Sequence, residues 1–411
     1  MSASLTTAIG TANHKYYFAG NLPHLHFTGI DPDDGMIFKV NVWTGAAVGA
    51  VILDEIIYPN AVGAASVKIR SAINSYLKTQ IPSSDNFHQD TAYTEIRLQF
   101  GGFERFFYVI KGGLLIPEAD YETHDYLDHF EKNLLTWMPS VRNVKYYEPN
   151  YINYFVGPSH AGGLYMTYYY QQWQEFSQTW GFPEQVEVQL YASASTNRLV
   201  TFNIGFDKIV SIVNNSQRRI YAFDVYYKVG SDVVSNEQRF LLEHTIDEFD
   251  DVFLYENSLG GIETIRFTGN MAEKENHEPK AYLDTDNRLV EFETIFNRLY
   301  EKHTGYFDTE EQRLWLREFY TSAMRYHYRM LLNGPTPERI TITEVKADSV
   351  QNKINSFQFT FRYANPVAWQ RHLRETLPNM IDDSVEIEDD PAVRFGQWNQ
   401  EIAQVPENEE T

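Results

Sequence analysis

The stretch Phe253-Leu-Tyr-Glu-Asn-Ser-Leu-Gly-Gly-Ile-Glu-Thr-Ile-Arg-Phe-Thr-Gly-Asn270 is a β-hairpin written in sequence. On its incoming arm Phe253 and Tyr255 alternate with Leu254 and Glu256. On its outgoing arm Ile265 and Phe267 alternate with Arg266 and Thr268. Period-two alternation is the mark of a half-buried strand. Between the arms, Gly260 and Gly261 supply the positive φ that a tight reversal needs.

The same pattern recurs outward from the hairpin. In a first section, strands are expected at Met36–Val42, Val51–Ile57, Thr91–Phe100 and Phe106–Ile110, separated by Asp31-Pro32-Asp33-Asp34-Gly35 and by Gly101-Gly102. Ile69, Ile73, Tyr76 and Leu77 fall on one helical face and predict one helix there. In a second section, Leu134–Trp137, Tyr151–Val156, Leu164–Tyr170, Val186–Tyr191, Leu199–Ile204 and Ile220–Val229 read as strands. After a polar linker at Met271–Pro279, Asp308 as N-cap and Glu311 three residues on predict a capped helix over Thr309–Ser322. Tyr326–Leu332 and Ile340–Val345 read as a hairpin. Phe357, Phe359, Phe361 and Tyr363 alternate with polar residues in a final strand. The expected fold is mainly β: tandem β-sandwich-like modules with a few inserted helices and an acidic C-terminal tail. The expected domains are 1–117, 118–270, 271–375 and a tail at 376–411.

The composition narrows the function. The chain has 411 residues, 56 acidic and 34 basic, for a formal net charge of -22. Phosphate neutralisation needs Lys/Arg clusters, so neither nucleic-acid nor anionic-membrane binding is expected. Six acids among the nine residues Asp382–Asp390 give the tail too little apolar surface to order itself, Val385, Ile387, Phe395 and Trp398 excepted. There are 0 cysteines, which rules out disulfides, thiolate metal sites and a cysteine nucleophile. No signal peptide and no apolar run of about 18 residues is visible. The 28 Tyr and 27 Phe suit strands and half-wet interfaces.

The wording of several segments resembles a family. Tyr255-Glu256-Asn257, then Gly260-Gly261, then Glu263-Thr264-Ile265-Arg266-Phe267-Thr268-Gly269 looks like a signature of structural virion proteins (tail, neck or baseplate type) of tailed phages and prophages of Bacteroidetes. Glu55-Ile56-Ile57-Tyr58-Pro59, Thr304-Gly305-Tyr306 and Phe357–Ala364 follow in the order such proteins show. The resemblance implies a virion component made in the host bacterial cytoplasm, with no catalytic residues and no cofactor. Its implied partners are copies of itself in a symmetric ring and other phage structural proteins. It singles out Tyr255, Asn257, Gly260, Gly261, Phe267 and Gly269 as the hairpin residues tied to assembly.

Other chemistry was weighed against plainer readings. Gly157-Pro158-Ser159-His160-Ala161 departs from the G-x-S-x-G elbow at its fifth position and leads into a strand, so Ser159 is expected to be a loop residue. His24 and His26 share one face of a strand, but no third zinc ligand follows from spacing. Asp31, Asp33 and Asp34, and likewise Asp284, Asp286 and Glu291, lack the glycine and bidentate acid of a calcium loop. No metal is expected. Trp173 and Trp180 would serve the alternative function, a carbohydrate-binding fibre or decoration module. A virion-associated hydrolase is a more distant third.

Overall fold

The computed structural model describes residues 3–11, 15–45, 47–174, 179–192, 196–213, 218–245, 247–283, 289–331, 334–346 and 356–364, and describes no side chains at 276–297 and 330–335. The chain is mainly β, with five sheets and, among the described residues, four α-helices.

The N-terminal sheet has the order Tyr16–Phe18, Phe103–Ile110, Tyr93–Phe100, Met36–Trp43, Val48–Ile57. A small sheet of Ser4–Leu5, Leu25–Thr28 and Ala65–Val67 packs on it. Phe27 of the small sheet meets Phe38 and Phe100 with ring centroids 5.7 and 5.3 Å apart. The alternation at 36–42 and 93–100 buries Phe38, Val40, Ile96 and Leu98 on the shared face. The expected helix is present at Arg70–Tyr76, with Ile73 buried.

The middle sheet runs Val141–Lys145, Gln238–Glu243, Arg218–Val229, Gly163–Gln174, with Thr179–Trp180 and Glu184–Tyr191 both beside Gly163–Gln174. A three-stranded sheet joins Tyr151–Val156, Arg198–Asn203 and Asn86–His88. The C-terminal sheet has the order Ile262–Phe267, Asp251–Glu256, Arg325–Leu331, Gly334–Lys346, Ser356–Tyr363, Leu289–Tyr306, Met271–Leu283.

The pairings cross two expected boundaries. Asn86–His88 of the first section pairs with Arg198–Asn203 of the second. The hairpin strand Asp251–Glu256 pairs with Arg325–Leu331, so a border at 270/271 cuts through one sheet. Packing divides the chain into Met1–Arg362 and Tyr363–Thr411. Turn signals mark loops, and a loop separates domains only when the strands beside it find local partners.

Three local expectations are corrected. Met271–Pro279 is not a linker but the start of a strand that pairs with Leu289–Tyr306. Leu134–Trp137 is a loop, because Leu135 and Trp137 give their N–H groups to Asn153 O and Glu263 and not to a ladder. The late helix is Glu310–Thr321, and its cap lies one residue on from the expected one: Thr309 is the N-cap and Gln312 returns the bond. Helices Tyr126–Lys132 and Phe206–Val213 were not anticipated.

Candidate functional site

The hairpin is buried inside the fold. Its register runs from Asp251 opposite Phe267 to Glu256 opposite Ile262. Alternation predicted one wet face, but Val252–Asn257 and Leu259–Ile265 are all buried. Helix Glu310–Thr321 covers one side, where Phe319 sits 5.7, 5.7 and 5.1 Å from the rings of Phe253, Tyr255 and Phe267. The turn is closed by Asn257 N to Gly261 O (2.9 Å). The Asn257 side-chain oxygen accepts from Leu259 N (3.1 Å) and Gly261 N (2.8 Å).

The two glycines do different work. Gly260 alone has positive φ, +83°, and a Cβ there would lie 2.5 Å from Lys111 O. Gly261 needs no unusual φ. It is small because Asn153 packs against its α-carbon, where a Cβ would collide with all three terminal atoms of that side chain. Asn153 is buried. It donates to Ile262 O (2.9 Å) and accepts from Ile262 N (3.3 Å) and Thr201 Oγ1 (2.7 Å).

A carboxylate lies at the centre of this contact. Glu263 is fully buried. Its Oε1 accepts from Trp137 N (2.8 Å) and Asn257 Nδ2 (2.6 Å), and its Oε2 from Tyr255 OH (2.7 Å) and Trp315 Nε1 (3.1 Å). Burial pushes its carboxyl above the usual range, and bonds from Asn257 and Tyr255 oppose the rise. Burial and the neighbouring Glu263 push the Tyr255 phenol well above its ordinary value. Four donors from a loop, the hairpin and a helix thus converge on one acid and hold three segments together. Beside the turn lies a cavity of about 280 Å³ with Lys111, Ser258, Glu318 and Thr321 in its wall. There Lys111 Nζ meets Glu256 at 2.6 Å, and Glu318 accepts from Ser258 N at 3.0 Å.

Arg266 fastens the outgoing arm to its surroundings through Glu148 (2.8 Å), Glu243 (2.9 Å) and Asp250 (3.1 Å). At the base of the hairpin the fully buried Lys302 donates to Phe249 O (2.7 Å), Asp251 Oδ2 (2.5 Å) and Gly269 O (2.6 Å). Of the six hairpin residues singled out by sequence, Tyr255, Asn257, Gly260, Gly261 and Phe267 are buried among these contacts and Gly269 is half-buried.

The other candidates are scattered. Ser159 is an exposed turn residue, and a strand begins at Gly163. Its neighbour His160 pairs with Glu131 at 2.8 Å. His24 and His26 stand 6.4 Å apart between ring centroids, and His24 is engaged by Glu118 at 3.0 Å. Asp31 organises its own turn, accepting from Asp33 N (3.0 Å) and, through its carbonyl, from Gly35 N (3.0 Å). Among the described residues no group of three or more acidic or His side chains is placed to hold a metal. Trp173 and Trp180 are half-buried and meet edge-to-face at 5.3 Å. Asp284, Asp286, Val385, Ile387, Phe395 and Trp398 lie outside the described residues, as does the side chain of Glu291.

Sequence reading did not mark the exposed apolar residues of one end strand. Val48–Ile57 is the end strand of the N-terminal sheet, and among the described residues no strand pairs with its outer edge. Along and beside it Ile37, Val51, Ile56 and Val62 are 62%, 60%, 56% and 83% exposed. An apolar run without clean alternation usually denotes a strand buried on both faces, yet here most of its residues are exposed.

No family model matches the chain, and no curated protein matches it. Among solved structures, the tail of an empty gene transfer agent particle with C6 symmetry is similar at 11% identity and a TM-score of 0.21, over 28% of this chain and 91% of that one. The baseplate of the anti-feeding prophage is similar at 11% identity and 0.20, over 30% and 93%. CBD12 from CALX1.2 is similar at 8% and 0.18, over 57% and 83%. Likeness at these scores establishes neither fold nor role. Among the described residues no helix is long and apolar enough to cross a membrane.

Proposed function

We propose that this chain is a structural subunit of a tailed-phage-type particle, a tail, neck or baseplate component that acts through protein–protein contacts and not through catalysis. The observation that carries the reading is the exposed apolar edge at Val48–Ile57. Soluble monomers seldom leave a long apolar edge strand unpaired, because it templates association. The virion-protein wording of the hairpin agrees with it. On this reading the partners are copies of the same chain in a symmetric ring, together with other particle proteins. The net charge of -22 keeps the subunit off nucleic acid by repulsion. The buried hairpin contributes by fixing the relative positions of the segments around it.

The test replaces Val51 and Ile56 with lysine in the producing strain. Particles are then purified and the subunit is quantified by mass spectrometry. The expected result is loss of incorporation at an unchanged melting temperature of the isolated protein. Wild-type incorporation of the double variant would remove the reading's main support.

A further inference from the structure

Resting on that reading, we infer that Val48–Ile57 pairs antiparallel with the same strand of a second copy, about a two-fold axis at Ile52. The strand is ten residues long, its inner edge is paired with Met36–Trp43, and among the described residues no strand takes the N–H and C=O groups that point outward; only another extended chain satisfies such a ladder. Its own sequence says which chain fits. The charged residues of the strand are Asp54 and Glu55, both acidic. In a parallel in-register pair each would face its own copy, and like charges directly opposite oppose pairing. Centred on Ile52, the antiparallel register instead places Asp54 opposite Ala50 and Glu55 opposite Gly49. The small residues give the carboxylates room to reach water. The same register sets Ile56 opposite Val48 and Leu53 opposite Val51, so apolar residues meet apolar ones at every remaining level. Lys39 already engages Asp54 at 2.7 Å within its own chain, so no basic partner is required to neutralise that acid.

The bend in the strand is consistent with this axis. The ladder to Met36–Trp43 slips twice: at Ile52, with Val40 opposite Leu53 and Asn41 opposite Val51, and again between Val51 and Val48, with Trp43 opposite Val48. A bulge bends a strand and in many proteins keeps an edge from pairing. Placed on a two-fold axis, the bend at Ile52 occurs at the same level in both strands. The contact is isologous, so a ring that contains it has two-fold axes in its plane.

The chain has 0 cysteines, which makes the test direct. Ile52→Cys places one thiol on the axis, opposite its symmetry mate, at a Cα separation of about 4.5–5.5 Å that a disulfide spans. Glu55→Cys places its thiol opposite Gly49, about 20 Å along the strand from its mate. Each full-length variant is oxidised mildly and run on a non-reducing gel, after its melting temperature has been matched to wild type under reducing conditions. The expected outcome is a covalent dimer for Ile52→Cys at least tenfold more abundant than for Glu55→Cys. The double variant Gly49→Cys/Glu55→Cys is expected to restore the dimer. Equal crosslinking of the two single variants, or a wild-type chain that stays monomeric at tens of micromolar by light scattering, overturns the inference. If the protein is monomeric while the lysine variants still fail to enter particles, the structural role stands and the edge receives a strand from a different protein, which also overturns this inference.

Discussion

Replacing Gly261 by alanine tests whether the hairpin is held by shape as closely as described. The added methyl collides with Cγ, Nδ2 and Oδ1 of Asn153. That side chain is buried and bonded on both its oxygen and its nitrogen, so it has nowhere to retreat without leaving Ile262 and Thr201. Overpacking a filled interior costs about 1–3 kcal/mol. Stranding a buried amide and its partners adds about 1–3 kcal/mol. The expected loss is therefore about 2–6 kcal/mol, although the φ of Gly261 is one any residue adopts. The assay is equilibrium denaturation in urea, with Asn153→Ala and the double variant completing a cycle. Asn153→Ala removes the three colliding atoms, so the double variant should be no less stable than Asn153→Ala alone, a coupling of several kcal/mol. A Gly261→Ala change within about 0.5 kcal/mol of wild type, or costs that simply add, would refute the packing argument.

Three further outcomes follow from the same buried polar groups. Lys302→Met leaves Asp251 without its ammonium and two carbonyls without their donor, and should cost about 3–5 kcal/mol in the same denaturation assay. Burial pushes the Asp251 carboxyl up, but the His327 hydrogen bond and the Lys302 charge outweigh it and hold the group below its ordinary value. Its contribution is then full above the unfolded carboxylate value of about 3.9 and is lost as pH falls through the folded value. The stability gap between wild type and Asp251→Asn, measured from pH 7 to pH 3, should narrow only below about pH 4. Glu263→Gln turns an amide N–H₂ toward two donors that point at one carboxylate oxygen, and should lower stability by about 1–3 kcal/mol despite removing a buried charge; a stabilised variant would mean the donors can turn elsewhere.

Much of the local structure was legible because it follows from periodicity. Phe357, Phe359 and Phe361 alternate and are buried on the C-terminal sheet, and Ile73 and the pair Leu316 and Phe319 lie on the inward faces of their helices. Partners at long range were not legible. Nothing in Asn86–His88 names Arg198–Asn203, and nothing in Asp251–Glu256 names Arg325–Leu331. The hairpin shows the limit most clearly. Its arms and the positive φ of Gly260 were legible, yet alternation promised a wet face, and the structure covers the face of Thr264 and Arg266 with the loop at Glu148 and Pro149. The role of Gly261 depends on Asn153, more than a hundred residues upstream, and no local pattern carries that. Val51–Ile57 was legible as a strand, but nothing in its own residues says that among the described residues no strand pairs with its outer edge.

The position of the hairpin also has a consequence for how the chain is made. Its turn is gripped by Lys111, Trp137 and Asn153 from before it and by Glu318 from after it. Contacts so distant along the sequence close slowly. The aromatic face of the hairpin at Phe253, Tyr255 and Phe267 therefore has no Phe319 against it on the ribosome until the late helix emerges. During that interval the growing chain presents that aromatic face together with the Val48–Ile57 edge. A chain cut short before residue 310 keeps both and should partition into inclusion bodies to a greater extent than the full-length protein.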